Sequence, residues 1–435
     1  MRTSPGVPAT AQYVIVGGGV HGLSTAYHLA ERLEELGGSA GRVLVLEKRR
    51  LGAGASGICG GIVRNFYLAP ELNEIVRRSI EIFELDPHGF GFHQVGYLAA
   101  VSEEQAGDLE RIAWQHEQIG YESNLVVGRG ESWEYLRDLF RDWRAKSVTA
   151  VLHEPRGGWA DPTATVANLG GMARSLGVQI VEGVEVLDFE LDGEIVRSVV
   201  TSAGTVACDL VVVCPGPWVR DLWRLLALPD GIDMGDRRAP FSYLKVREGD
   251  FVLRSGERLP ERAPVVHLDV HEPLLSDRDR RVLHPGPWGI YFRSGAHGGI
   301  QGGGLPGVLD AECELDPYGP SHPEHGSSGP DFDEWFTSAL AVAFGRFRGR
   351  SADWDCHSYG AQVAFTPDSY PVLDFVRPNA YVVLDSNHGF KMLALGRLAA
   401  EDILDGSAAE LKSFRLDRFA RAELHPVSAS PYPWT

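Results

Sequence analysis

The chain has 435 residues, enough for two hydrophobic cores, and its 44% hydrophobic and 23% charged residues are the proportions of a globular protein. With 41 basic against 59 acidic residues the net charge is -18, which argues against nucleic acid or an anionic membrane as partner; no apolar run reaches the roughly 18–20 residues of a membrane span. Five scattered cysteines, an odd number without ligand spacing, argue against a disulfide framework or structural zinc and for a reducing, cytoplasmic setting.

The first ten residues carry one arginine and no apolar stretch, unlike a secretory leader. Tyr13, Val14, Ile15 and Val16 then read as a buried parallel strand, running straight into Gly17-Gly18-Gly19-Val20-His21-Gly22. Apolar residues at 23, 26, 29, 30 and 33 follow with helical spacing. Strand, glycine turn and helix in that order are the context a dinucleotide fingerprint needs. Gly17 permits the turn, Gly19 clears space for a pyrophosphate, and Gly22 lets helix and strand pack closely; the phosphates rest on N–H groups at the helix start. A second strand over 42–46 ends at Glu47, whose carboxylate suits both hydroxyls of an adenosine ribose. Beyond it, Gly52, Ala53, Gly54, Ala55, Ser56 and Gly57 are small enough for the backbone to run along an extended cofactor, with Ser56 a donor to the pyrophosphate. That long glycine-lined path suits FAD better than NAD.

Helical periodicity marks 71–86 and 102–119, with a turn and strand over 89–100 between them. Asp161 and Pro162 read as cap and first residue of another helix, followed by a strand at 178–181 and a meander over 184–207 with turns at Gly193 and Gly204. Residues 210–214 form a near-continuous apolar run, typical of a strand buried on both faces, and lead to Pro215-Gly216-Pro217, again small beside a cofactor. Residues 241–300 are strand-rich, notably 241–246, 265–268 and 289–293; 310–331 reads as a polar surface loop; and a helix is expected at 332–344. The chain closes with a strand at 381–384, the segment Asn387-His388-Gly389-Phe390-Lys391, and a helix through Ile403. Dinucleotide-type segments at both ends predict an α/β, Rossmann-like FAD-binding domain assembled from 1–90, 155–240 and 365–435. The substrate domain then takes 91–154 and 241–364.

Across nearly its whole length the chain resembles the D-amino-acid-oxidase-like superfamily of FAD-dependent oxidoreductases, nearest its sarcosine/glycine/dimethylglycine oxidase branch. The segments that carry the likeness are 14–30 with Glu47, 52–67, 158–171, 211–218, 291–299, 366–373 and 387–403. The first is shared by many dinucleotide folds, whereas Thr366-Pro367-Asp368 together with His388-Gly389-Phe390-Lys391 is far more specific. The resemblance implies an α+β substrate domain whose mixed sheet roofs the flavin, and oxidation of a C–N bond to an imine by hydride transfer to flavin N5.

It also implies the site. Arg64, in Ile62-Val63-Arg64-Asn65, resembles the arginine that pairs with a substrate carboxylate, and Lys391 stands at the family's second cation. A guanidinium fork with an adjacent ammonium makes chemical sense as a carboxylate clamp. Tyr291 is expected to line the pocket, Gly389 and Phe390 to bind the cofactor, and His388 to contact the flavin or the pocket. Arg293 stands where the family has an oxygen-activating lysine. Tyr67 and Trp159 are expected to pack, and Asp368 to be a structural carboxylate. Gly57 and Gly61 replace a histidine and second arginine of the sarcosine-oxidase pattern, which points to an altered pocket and a bulkier substrate, as in specialised metabolism. The flavin-tethering cysteine has its matching place near Ala361, with Cys356 about five residues earlier, so FAD is expected to be non-covalent. The expected partners are a small carboxylate-bearing amine and oxygen or a separate electron acceptor; the oligomeric state stays open. Two other classes compete: an FAD-dependent 2-hydroxy-acid oxidoreductase, and a flavoprotein subunit of a multi-subunit amine dehydrogenase.

Overall fold

The computed structural model describes residues 6–295, 298–309, 330–384, 389–406 and 408–431. Its first sheet has a parallel centre in which Thr10–Val16 lies between Gly204–Val213 and Val43–Glu47. Gln179–Glu182 extends it on one side and Ala380–Leu384 on the other, both parallel. An antiparallel meander, Val186–Asp192 with Ile195–Thr201, pairs with the start of Gly204–Val213, and Val372–Arg377 adds to Ala380–Leu384. Strands far apart in sequence thus share one sheet. Their apolar runs alternate into two cores, one under the helices Val20–Glu35, Pro162–Ser175 and Ala394–Asp405 and one on the opposite face around Val199, Val211, Trp223 and Phe419. The expected helix cap is present, since Asp161 Oδ1 accepts from the Ala164 N–H at 2.7 Å. A buried ion pair, Asp368 with Arg418 at 2.9 Å, ties the C-terminal segment to the Thr366 turn.

The second sheet is mixed and eight-stranded. Its order is Trp354–Phe365, Ser242–Leu253, Ile300–Leu309, Trp288–Ser294, Val265–Val270, Tyr97–Val101, Ala150–Glu154 and Asn124–Val127. Only the pair Val265–Val270 with Tyr97–Val101 is parallel. Period-2 alternation divides its side chains. Phe251, Val266, Leu268, Ile290 and Phe292 pack under the helix Pro330–Ala343, and the intervening residues face the other way. A small third sheet, Ile62–Val63, Gly158–Ala160 and Phe92–His93, lies where the chain passes between the two.

The stretch after Glu47 contains a helical turn, Ala55–Ile58, set against the helix Pro162–Ser175. The polar stretch from 310 falls mostly outside the described residues, and its last two residues, Pro330 and Asp331, already belong to a helix. Helix Arg129–Leu139 and the strands Asn124–Val127 and Ala150–Glu154 had no counterpart in the sequence reading. No helix among the described residues is long and apolar enough to cross a membrane, and none of their His, Cys, Asp and Glu side chains cluster as metal ligands.

Candidate active site

At the carboxyl ends of the parallel strands, where ligands of such sheets bind, opens a cleft of about 350 Å³. Gly17, Gly19, Gly22, Glu47, Ser56 and Gly216 all line it. The helix Val20–Glu35 starts there with no side-chain cap, so its end presents backbone N–H groups toward the cleft. Ser56 Oγ accepts from the Val20 N–H at 3.1 Å. Glu47 is buried at the cleft floor, where Oε2 accepts from the Gly18 N–H and Oε1 from the Arg49 N–H, each at 2.8 Å. The glycines differ in kind. A Cβ at Gly22 would lie 1.9 Å from the Gly17 carbonyl oxygen, whereas one at Gly19 would meet only Ser56 Oγ, at 3.0 Å. Gly22 serves strand–helix packing, and Gly19 keeps the cleft open. A glycine cradle, a helix N-terminus and a buried carboxylate at the second strand end are the donor and acceptor set that an adenine dinucleotide requires.

The segment 52–64 leads from this cleft to a second cavity of about 80 Å³, bordered by Arg64, Lys391, Tyr291 and Phe390. Thus the two expected cations, from opposite ends of the chain, reach one small space. Arg64 follows the short strand Ile62–Val63, is buried, donates from Nη1 to the Phe66 carbonyl at 2.6 Å, and lies 4.9 Å from the Tyr67 ring centre. Tyr67 accordingly packs, as expected, with the guanidinium against its face. Lys391, also buried, stands in the short turn Gly389–Lys391 before the last long helix. Gly389 is buried in that turn, and Phe390 packs against Phe83 at 6.2 Å. His388 lies outside the described residues.

Arg293 is not among the residues bordering this cavity. Its Nε donates to the Gly60 carbonyl at 2.9 Å, Nη1 donates to the Ser294 carbonyl at 3.0 Å, and the guanidinium lies 4.0 Å from the Trp159 ring, which stacks on His93. It braces the turn Cys59-Gly60-Gly61 from behind. Gly61 has φ +67° and no room for a Cβ, which would fall 2.0 Å from the Ala160 carbonyl oxygen, so a larger residue there would break the turn. Cys356 pairs with Phe251 and packs with the aromatic core on the sheet face away from the cavity. Asp368 is the structural carboxylate expected, inside its ion pair with Arg418.

Three cavity residues escaped the sequence reading: Tyr97, Glu248 and His267. Two of them belong to one cross-strand row, in which His267 stands opposite Tyr291, Tyr291 opposite Gly303, Gly303 opposite Glu248 and Glu248 opposite Tyr359; Tyr97, registered with Val265, reaches His267 diagonally. Gly303 has no side chain to obstruct the gap, so the Tyr291 hydroxyl reaches across its strand to Glu248 Oε1 at 2.5 Å; a Cβ at 303 would lie 2.6 Å from that hydroxyl. On the other side, Tyr97 Oη meets His267 Nδ1 at 2.7 Å, and His267 Nε2 meets Asp269 Oδ1 at 2.9 Å. Asp269 Oδ2 also accepts from the Ser430 hydroxyl at 2.7 Å. A carboxylate accepts only, so Nε2 carries the proton toward Asp269 and Nδ1 is left to accept from Tyr97. The signal for Glu248 is its place in the alternation Leu244, Val246, Glu248, on the inward face of a strand that continues past 246 to Leu253.

A family model described as FAD dependent oxidoreductase matches residues 12–402. The chain is 29% identical over 223 residues to 4-methylaminobutanoate oxidase (formaldehyde-forming) of Paenarthrobacter nicotinovorans, covering 50% of this chain and 26% of that protein. It is 31% identical over 212 residues to sarcosine oxidase subunit beta of an Arthrobacter species, covering 46% and 49%. The chain therefore spans half or less of the length of these relatives. Among solved structures, L-proline dehydrogenase from P. horikoshii superposes with a TM-score of 0.76 at 22% identity, over 96% of this chain and all of that one, which shows a shared fold.

Proposed function

Since this chain belongs to the FAD dependent oxidoreductase family, we propose that it oxidises the C–N bond of an amino acid or N-alkyl amino acid to an imine. Bound FAD supplies the hydride acceptor. The observation that carries the proposal is the meeting of Arg64 and Lys391, both buried, in one cavity joined to the dinucleotide cleft by the segment 52–64. Two cations against one carboxylate, Glu248, in a space of about 80 Å³ leave an excess positive charge that suits an anion, and a carboxylate is the anion that a guanidinium fork holds in a fixed orientation. The work of the protein is then orientation and charge neutralisation, with the reactive carbon held by its carboxylate. Gly17, Gly19, Gly22, Glu47, Ser56 and Gly216 hold the adenosine and pyrophosphate. Phe390 borders the substrate cavity, Gly389 belongs to the turn that carries it, and Arg293 positions the Gly60 turn.

Similarity to a sarcosine oxidase subunit and to a methylaminobutanoate oxidase supports an N-methyl or other secondary amine among the substrates. Oxygen or a separate acceptor then reoxidises the flavin. The test is anaerobic bleaching of the purified flavoprotein by a panel of amino, N-methylamino and hydroxy acids, with air admitted afterwards to test oxygen as acceptor. Arg64→Ala and Lys391→Ala should each weaken carboxylate binding at least tenfold and leave FAD content intact; loss of FAD instead would show these residues to be part of the cofactor site. The pair His267 and Asp269, linked to Tyr97 at the cavity, favours a second reading, in which a hydroxyl proton is removed from a 2-hydroxy acid. Bleaching by hydroxy acids and by no amine would turn the assignment to that class.

A further inference from the structure

We infer that Glu248 is the proton acceptor for the substrate's amine, so that the cavity selects a zwitterion: carboxylate on Arg64 and Lys391, protonated nitrogen on Glu248. This rests on the amine reading above and adds to it the group that makes the nitrogen reactive. Glu248 is a buried carboxylate bordering the same cavity as the two cations. Its neighbours are hydrogen-bond donors: the Tyr291 hydroxyl at 2.5 Å on Oε1, Gln301 Nε2 at 3.2 Å on Oε2, and the Gly60 backbone N–H. Donors around a carboxyl favour its ionised form, because an ionised carboxylate only accepts, and so work against the burial that favours the acid. A buried anion is costly unless it is paired, and here the fold supplies a missing side chain at Gly303 and a pinned turn at Gly60 to retain it.

The charged and titratable groups around it come from every neighbouring element. Tyr291 and Arg293 stand on one strand, Tyr359 on another, Asp250 on its own, Cys59 on the turn, and Lys391 across the cavity. Burial raises its affinity for a proton; Tyr291, the Gly60 N–H and Arg293 offset part of that rise, and the net direction is upward. An acid shifted in this sense accepts a proton near neutral pH more readily than an exposed glutamate. The step is a simple transfer. The substrate N–H bond breaks, an O–H bond forms on Glu248, and nitrogen keeps the electron pair that a C=N product requires. The proton returns to water when product leaves.

Two ligands of one shape test the charge. N,N,N-trimethylglycine and 3,3-dimethylbutanoate differ only in the cation, and neither has an N–H to lose; their binding to the FAD-loaded protein is read from flavin absorbance. The wild type should prefer trimethylglycine at least tenfold, and Glu248→Gln should bring the two within about threefold without weakening dimethylbutanoate. Equal binding by the wild type, or an undiminished preference in Glu248→Gln, overturns the inference and leaves the carboxylate clamp standing. If neither acid binds, the clamp itself is wrong and this inference goes with it. The proton is tested with whichever amine of the panel bleaches the flavin fastest. The bleaching rate of Glu248→Gln should rise about tenfold per pH unit up to the amine's own ionisation, where the wild type levels off earlier; coincident profiles refute the transfer, and the absence of any bleaching amine refutes the amine reading. Tyr291→Phe keeps the carboxylate and withdraws its closest donor, so its profile should shift to higher pH. That shift, or its absence, decides the matter should Glu248→Gln fail to fold.

Discussion

Glu154 offers a test in which stability and site chemistry move together. It ends the strand Ala150–Glu154 opposite Tyr97, and its Oε2 accepts from the Asn65 N–H at 2.6 Å and the Tyr121 hydroxyl at 3.1 Å. Its Oε1 has no hydrogen-bond partner among the described residues. Burial pushes the carboxyl up from 4.5 to about 7, against the opposing pull of the Asn65 N–H, Arg64 and Tyr121. At about 1.4 kcal/mol for each tenfold change in proton affinity, the ionised form inside the protein costs about 3 kcal/mol. The sign follows from proton counts. Below pH 4.5 both folded and unfolded chains hold the proton; between 4.5 and 7 only the folded chain does, so stability falls as pH rises; above 7 the loss is complete. Glu154→Gln keeps an acceptor for Asn65 and removes the charge. Urea unfolding of the FAD-loaded pair of proteins from pH 5 to 8 should therefore show the variant gaining on the wild type by about 2–3 kcal/mol, mostly before pH 7. A difference that does not change with pH would falsify the assignment of a buried neutral acid. The same proton matters to Arg64, the residue before Asn65. With Glu154 neutral one of the two carboxylates acting on the guanidinium, the other being Asp269, is removed, so carboxylate affinity should decline above pH 7 in the wild type and decline less in Glu154→Gln.

The two glycines of the first turn should part company. Gly22→Ala drives a methyl against the Gly17 carbonyl at 1.9 Å and should destabilise by about 1–3 kcal/mol or more, visible in the thermal midpoint of apoprotein and holoprotein alike. Gly19→Ala meets only a serine hydroxyl, so its apoprotein should melt near the wild type while FAD affinity, measured by flavin fluorescence, drops at least tenfold. Asp368→Asn strands Arg418, whose side chain is 1% exposed, and removing one partner of such a pair costs about 3–5 kcal/mol. Denaturation should show that loss, with the double change of Asp368 and Arg418 to apolar residues recovering part of it.

The fold was legible wherever the hydrophobic pattern was local and strong. The first strand, its glycine turn and helix, the apolar run 210–214 and the capped helix at Asp161 are each decided by residues within a few positions of one another, and each stands where expected. The strands at Asn124–Val127 and Ala150–Glu154 were not legible, because their side chains become apolar-facing only through pairing with Tyr97–Val101 and its neighbours. The helix Arg129–Leu139 fully buries only Ser132 and Leu136, with Trp133, Tyr135 and Leu139 partly buried against the core, and it opens without the capping residue and proline that mark the helix at Asp161.

The site shows the same division, and for a reason that bears on chemistry. Arg64 and Lys391 sit in short segments whose residue order carries meaning by itself, and both arrive at one cavity. Glu248, Tyr291, His267 and Tyr97 acquire their meaning only from strand register: a row across the sheet with Tyr97 diagonal to its end, and Gly303 placed so that a hydroxyl can cross it. Residues of this kind can change type without disturbing the alternation that builds the strand, since an inward Glu, His or Tyr occupies the same position in the pleat. The proposed clamp therefore belongs to motif and the opposite wall to register. It follows that the half of the cavity carrying the proposed clamp should recur in chains that carry the motif, while the wall bearing Glu248 and the Tyr97–His267–Asp269 chain is where one such chain should differ from the next in the group it accepts.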